Sequence, residues 1–437
     1  MLQDRRTFLR TAGAAAVATG ARPVLGANER LSLAIVGLGG RGRDHINEYI
    51  TVPNCRVEAL CDVNQASLER AQAMVQKALG YTPRGYSDMR QVFADKSIDA
   101  VSMATPNHWH ALGTIWACQA GKHVYIEKPA SHNVWEGRKM IEAARKYNRV
   151  VQVGSQSRTT KHKIRAIELL QQGAIGKVYL AKGLCYKRRK SIGRKPDGPV
   201  PPGVNWDMFL GPAPMRPFNE LRYAYNWHWF WDTGNGDIGN QGVHEMDIAR
   251  WGLGVGFPKS VVSTGGKFVY DDDQETPNTQ LATFDYGDKQ IVFEVRGLPT
   301  GDDSGIVRDS GGNVIGNVFY GSEGLMSVDM AGFRVYKGDK AEKVMDEKYV
   351  EKKSWDTNPH MTNFIEAARA GNPKLATAEV EIGVISAALC HLANISYRVG
   401  GRKLEFDAGT WRFRNDADGN RLLTRDYRAP YIVPDKV

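Results

Sequence analysis

Cysteine is scarce in this chain. Five occur among 437 residues: Cys55, Cys61, Cys118, Cys185 and Cys390. The number is odd, the spacing is wide and no C-x-x-C is present, which argues against a disulfide framework or a zinc ribbon. Cys61 and Cys118 stand in apolar runs and read as small core residues. This usage suits folding in a reducing compartment. Long apolar runs are missing too. Beyond the N-terminus no stretch approaches the ~20 residues that cross a bilayer, so no integral span is expected in the mature chain. Charge of one sign is not in great excess: the formal net charge is +10. Basic residues bunch only at Lys187-Arg188-Arg189-Lys190 and Arg194-Lys195. A nucleic-acid surface needs a broader stripe, so no nucleic-acid partner is expected. The bunch reads as a solvated loop, with an anionic ligand or a subunit contact as the other readings. His108-Trp109-His110 has no Cys or acidic partner spaced to complete a site, so no metal is expected. No internal repeat or low-complexity tract occurs.

What is present begins at the N-terminus. Arg5-Arg6-Thr7-Phe8-Leu9-Arg10 reads as a twin-arginine export signal. Residues 11–21 form a mild apolar region too short to span a bilayer. Arg22 follows, and Leu25-Gly26-Ala27 is a plausible cleavage end. A retained, uncleaved anchor is the rival reading. The expected divisions are a signal peptide at 1–27 and two domains in the remaining ~410 residues, at 30–155 and 156–437. The expected location is periplasmic, or otherwise exported by the twin-arginine route.

Leu31–Val36 is an apolar, β-branched run ending at Gly37-Leu38-Gly39-Gly40-Arg41-Gly42. A helical pattern follows, then a second strand at Val57–Cys61 that ends in Asp62. This is a complete βαβ unit for a dinucleotide. Gly37 makes the tight turn, Gly39 admits the pyrophosphate and Gly42 lets helix and strand approach. The helix N-terminus offers N–H groups to phosphate. Asp62 is placed to accept hydrogen bonds from the adenosine ribose, and its charge repels a 2′-phosphate. No basic residue follows directly, so NAD is expected over NADP. Strands at Asp99–Ala104, His123–Ile126 and Val150–Gly154 alternate with helices at Leu68–Leu79, His110–Ala120 and Trp135–Tyr147. That alternation predicts a parallel, doubly wound sheet. Its strand C-ends carry Thr105-Pro106-Asn107 with His110, Glu127-Lys128-Pro129 and Gly154–Arg158, where ligands bind in such folds.

The Gly turn, Thr105-Pro106-Asn107 and Glu127-Lys128-Pro129 together resemble the Gfo/Idh/MocA oxidoreductase family, the relatives of glucose–fructose oxidoreductase and inositol dehydrogenase. Gly173-Ala174-Ile175-Gly176-Lys177-Val178 resembles the entry into that family's second domain, and Pro359–Phe364 with Glu379–Tyr397 its closing segments. The resemblance implies an α/β chain: an N-terminal Rossmann domain, then an α/β domain with an open, largely antiparallel sheet that forms the substrate wall and often a subunit contact. A homo-oligomer is expected on that ground. Gly234–Asp247 resembles the family's catalytic Asp/His motif, with His244 on the family His and Asp247 on the later Asp. Asn240 stands where the catalytic Asp is usual. An Asn cannot act as base, so proton transfer falls to His244 with Lys128 polarising the oxygen. Asn240 then holds a hydroxyl, and Asp237 can substitute if this turn is helical.

Residues 185–232 form the least regular stretch. Tyr223–Trp231 is rich in aromatics, which stack on sugar C–H faces while neighbouring polar groups pair the hydroxyls. Trp227, Trp229 and Trp231 equally fit one buried face of a strand. Arg158, Tyr186, Trp229 and Asp247 are the candidate substrate contacts. Alternation at Lys259–Val269, Gln280–Tyr286, Gln290–Gly297, Val318–Gly321 and Leu325–Asp329 predicts the antiparallel sheet. The expected activity is NAD(P)-dependent hydride transfer to or from a sugar or polyol, with the cofactor retained, in a redox-neutral cycle if export cuts the enzyme off from the cell's cofactor pool. An NAD-dependent glycoside hydrolase working by oxidation, elimination, hydration and reduction is the alternative. A non-catalytic sugar- or cofactor-binding protein is the third reading.

Overall fold

The computed structural model describes residues 30–301, 305–349 and 357–437. The expected leader, with Arg5 and Arg6, lies outside the described residues. The first sheet has six parallel strands: β1 Leu31–Val36, β2 Cys55–Cys61, β3 Arg84–Tyr86, β4 Ala100–Met103, β5 His123–Ile126 and β6 Val151–Val153. They lie in the order β3-β2-β1-β4-β5-β6. Helices α1 Gly40–Tyr49, α2 Gln65–Leu79, α3 Met89–Ala94, α4 Asn107–Gln119 and α5 Val134–Lys146 connect them. Every residue of β4 and β6 is buried, as a sheet covered on both faces requires. The strand order reverses between β1 and β4, and a crevice opens there at the strand C-ends. Asn64 caps α2 by accepting from the N–H groups of Ala66 and Ser67, and Gly80 ends it in a left-handed conformation. Short β3 and α3 carry no legible periodicity and were not anticipated.

The second sheet has ten strands: β7 Val178–Tyr186, β8 Ser260–Gly266, β9 Thr279–Asp285, β10 Gln290–Arg296, β11 Val314–Gly321, β12 Gly324–Asp329, β13 Gly332–Lys337, β14 Glu342–Lys348, β15 Leu404–Asp407 and β16 Arg412–Phe413. Their order is β14-β13-β12-β11-β7-β10-β9-β8-β15-β16. The β7–β10 pair is parallel and the other pairs are antiparallel. The helices of this part are α6 Lys161–Gln171, α7 Trp206–Leu210, α8 Gly236–Asn240, α9 Gly242–Leu253, α10 Asn358–Arg369, α11 Val380–Arg398 and α12 Ala417–Arg421. Ala181, Cys185, Ala282, Phe284, Ile291 and Phe293 form one buried face, against residues of α9 and α11. A side chain on Gly242 would meet the Phe293 ring at 2.9 Å, so glycine there lets α9 settle onto the sheet.

One expectation changes. Helix α11 has the length and composition to cross a membrane, yet most of it is buried inside the protein as a core helix. Segments beyond residue 155 also pack against the first sheet. Met361, Phe364 and Ile365 of α10 share a core with Leu31, Ile35 and Tyr125. Tyr431, Val433 and Val437 share another with Val101, Trp109 and Val124. Gln152 Nε2 donates to the His360 carbonyl at 2.8 Å, tying β6 to α10.

Candidate active site

A cleft of about 800 Å³ opens at the strand reversal. Gly37, Gly39, Gly40, Arg41, Asp62, Thr105, Pro106, Asn107, Glu127, Lys128 and Asn240 all line it. A β-carbon on Gly39 or Gly40 would touch nothing within 4 Å, so these residues face open space. Gly37 has φ +83°, and a β-carbon on Gly42 would lie 1.8 Å from the Gly37 carbonyl oxygen. Gly42 and Leu38 are buried beneath the turn rather than on the cleft wall. Asp62 accepts N–H groups from Leu38 at 2.6 Å and Asn64 at 2.8 Å. Each carboxylate oxygen takes one of these bonds and keeps capacity for another.

Beneath the turn, Glu127 takes Arg41 Nε at 2.7 Å and lies 3.0 Å from His45 Nε2. Burial alone would raise its carboxyl, but Arg41 and His45 outweigh burial and hold it well below the usual range. Arg41 Nη2 is buried without a hydrogen-bond partner and belongs to a residue of the cleft wall. His110 is not on that wall. Its ring nitrogens lie 2.7 Å from the Pro129 carbonyl and 2.9 Å from the Thr105 carbonyl, so it joins two strand-end loops.

Lys128 reaches across to the second part of the chain. Its Nζ donates to the Asn240 carbonyl at 2.9 Å and to Asn240 Oδ1 at 3.4 Å. Asn240 Nδ2 donates to the Tyr225 hydroxyl at 3.1 Å. Burial, with Arg41, Lys187 and Arg189 nearby, pushes the Lys128 ammonium down to about 8, against the opposing pull of Glu127. His244 stands one turn beyond Asn240, its backbone N–H bonded to the Gln241 carbonyl at 3.1 Å. Burial and the Lys128 charge hold its imidazole well below the usual range.

Five further candidates sit elsewhere than expected. Asp237 lies on the helical turn α8, but its carboxylate is gripped by Arg189, Nε to Oδ2 at 2.9 Å and Nη2 to Oδ1 at 2.7 Å. Arg158 and Asp247 take each other, with Nε to Oδ2 at 2.8 Å and Nη2 to Oδ1 at 2.9 Å. Ser386 donates to the same Asp247 at 2.6 Å. Opposite buried charges neutralise one another before a substrate arrives. Tyr186 is buried with Leu184 and Val318, and its hydroxyl donates to Glu294 at 2.6 Å. Trp229 is buried on a 3-10 turn, Asn226–Trp229, not on a strand, with the Arg189 guanidinium 5.1 Å from its ring centre. None of these five lines the cleft, and neither does His244.

Sequence reading singled out the aromatic segment of the far wall, for a sugar ring, and missed Met208 and Phe209. Met208, Phe209, Tyr223, Tyr225, Trp227 and His228 line the cleft opposite the Gly turn. Their segment is fastened to the first domain at three points. Asn64 Nδ2 donates to the Tyr223 hydroxyl at 2.9 Å, Gln65 N–H to the Gly203 carbonyl at 3.0 Å, and Asn205 N–H to the Val63 carbonyl at 2.9 Å. The aromatic run was the available signal for Tyr223–His228; Met208 and Phe209 carried none. Ser67 and Arg70, on α2, complete the cleft beside Asp62.

Two family models match the chain. One describes an oxidoreductase family with an NAD-binding Rossmann fold and covers residues 31–155. The other describes the C-terminal alpha/beta domain of the same family and covers 175–275 and 322–433. A glycosyl hydrolase family 109 protein of Saccharopolyspora erythraea is 25% identical over 309 residues, which is 64% of this chain and 60% of that protein. Inositol 2-dehydrogenase of Salmonella typhimurium is 31% identical over 158 residues, 36% of this chain and 46% of that enzyme. The chain therefore matches less than two thirds of either relative's length. Among solved structures, the WlbA dehydrogenase of Bordetella pertussis, in complex with NADH and UDP-GlcNAcA, superposes with a TM-score of 0.63 at 20% identity. It covers 87% of this chain and 99% of its own, a likeness of fold.

Proposed function

This chain belongs to the Gfo/Idh/MocA oxidoreductase family, and on that premise we propose an exported enzyme that oxidises or reduces a carbon of a sugar or polyol. When bound, NAD supplies the hydride acceptor or, in reverse, the donor. The residues present fit that cofactor. Gly39, Gly40 and the N-terminus of α1 offer a backbone surface for the pyrophosphate, and the unpartnered Arg41 Nη2 offers one more donor. Asp62 retains acceptor capacity for ribose hydroxyls and disfavours a 2′-phosphate.

The observation that carries the reading is Lys128, partly buried on the cleft wall with its ammonium on Asn240. A group that titrates near 8 exchanges protons with a substrate hydroxyl near operating pH. The neutral amine accepts the proton when the alcohol is oxidised. The ammonium returns it, or stabilises charge on a carbonyl oxygen, in the reverse direction. His244, held neutral, accepts or donates a hydrogen bond and orients the hydroxyl. This reverses the division of labour expected from sequence, where His244 carried the proton. Asp237, Arg158 and Asp247 act by fixing the backbone around Lys128 and His244.

The test is a titration of the purified protein with NAD and NADP, followed by single-turnover reduction of the bound cofactor with a panel of sugars. Tighter NADP binding, or no reduction by any sugar or polyol, overturns the proposal. The relative in glycosyl hydrolase family 109 supports a second reading, a redox-neutral glycoside hydrolase. Release of p-nitrophenol from an aryl glycoside with no net NADH separates it from a dehydrogenase. Export rests on Arg5-Arg6, and cell fractionation of the parent and an Arg5→Lys/Arg6→Lys variant tests it.

A further inference from the structure

The basic bunch at 187–195 resolves into distinct roles. Arg189 is spent on Asp237, Arg194 pairs with Asp271, and Lys195 Nζ lies 2.5 Å from Glu220. Arg188 and Lys190 are exposed. Lys187 differs. It is partly buried at the C-end of β7, and its ammonium donates to Gln241 Oε1 at 2.8 Å. Among the described residues no carboxylate pairs with it.

Lys128 and Lys187 thus hold consecutive residues of one turn, Asn240 by its carbonyl and Gln241 by its amide oxygen. That turn leads directly to His244. The Lys187 charge is close enough to contribute to the depression of both Lys128 and His244. Two ammonium groups gathered in a partly dehydrated site repel one another, and an anion between them removes the cost. The cofactor's phosphates are not that anion, because Lys187 does not line the cofactor cleft. Glu245 lies beyond the amide, with Gln241 Nε2 3.5 Å from its Oε1, and burial pushes its carboxyl up to about 7.

We propose that Lys187 binds a negatively charged substituent of the substrate, so that the enzyme acts on an anionic sugar rather than a neutral one; this rests on the oxidoreductase reading. An ammonium is a point charge without the planar fork of a guanidinium. Carboxylate, sulfate ester and phosphate ester therefore share the required chemistry, and experiment separates them.

The probes are D-glucuronate, D-glucose 6-sulfate and D-glucose 6-phosphate, each against D-glucose. All are titrated into the full chain loaded with NADH, with the cofactor's fluorescence as readout. At least one charged sugar is expected to bind tenfold or more tighter than glucose, on the order of one well-placed charge contact. Lys187→Gln collapses that ratio to about one, Lys187→Arg retains most of it, and NADH affinity stays at the parent value in both. A panel in which no charged sugar is preferred, or a preference that survives Lys187→Gln, overturns the inference alone. Failure of the parent to bind NADH overturns the oxidoreductase reading as well, and the cofactor titration shows this before any sugar is added.

Discussion

Lys128 sets the chemistry at the residue scale because burial and three neighbouring cations bring its ammonium to about 8. Alcohol oxidation is expected to rise with pH through that value. Lys128→Ala should lower turnover by ~10²-fold or more and abolish the inflection; stopped-flow reduction of bound cofactor from pH 6 to 10 reads both. The same shift bears on stability. The folded value lies below that of a free lysine, so the unfolded chain holds more protons between about 8 and 10.4. Stability of the parent relative to Lys128→Met should therefore improve as pH rises through that window, and denaturant melts at pH 7 and 10 measure it. Asn240 Oδ1 lies 3.4 Å from the same ammonium. Asn240→Asp places a carboxylate there, which favours the charged lysine, and the rate inflection should move to higher pH. An unmoved inflection would mean that Lys128 is not the titrating group.

Among the elements, the Gly turn and the segment opposite it enclose the cofactor from two sides. The glycines of the turn do different jobs. Gly39→Ala adds a methyl to open space, so the protein should melt near the parent temperature while NAD binding weakens. Gly42→Ala drives a methyl into the Gly37 carbonyl and should lower both. Calorimetry with and without NAD distinguishes them. Across the cleft, Tyr223 offers its ring to the wall and its hydroxyl to Asn64. Tyr223→Ala is expected to speed release of NADH by about tenfold, equivalent to ~1.4 kcal/mol, in a fluorescence chase against excess NAD. Tyr223→Phe, which loses only the hydroxyl, should fall between. Equal release rates in all three proteins would show that the segment does not retain the cofactor.

At the scale of the molecule, C-terminal segments complete the cores of the first sheet. Residues 424–437 return to the first domain, where Lys139 Nζ donates to the Asp435 carbonyl at 2.6 Å and Tyr431 meets the edge of Trp109 at 5.3 Å between ring centres. Tyr427 adds a hydroxyl contact to the buried Glu136 at 3.2 Å. Deleting 424–437 exposes Trp109 and its neighbours and should lower Tm by several degrees. Residues 30–155 expressed alone lack both α10 and this tail. They should fail to fold cooperatively by far-UV circular dichroism, and an autonomous two-state fragment would contradict the shared core.

The sequence by itself determined what is local. The strands β1 and β5, the Gly turn with Asp62, and the Glu127-Lys128-Pro129 strand end follow from short-range patterns, because periodicity and turn chemistry act over a few residues. The parallel-then-antiparallel plan was legible for the same reason. Tertiary structure alone decided partnership. That Asp237 belongs to Arg189, Arg158 to Asp247 and Tyr186 to Glu294 depends on side chains 48, 89 and 108 residues apart. Charges distant in sequence neutralise one another only once the fold brings them together. The same long-range packing gave α11 to the core, tied 185–232 to α2, and left Lys187 facing an amide while three of its basic neighbours found carboxylates.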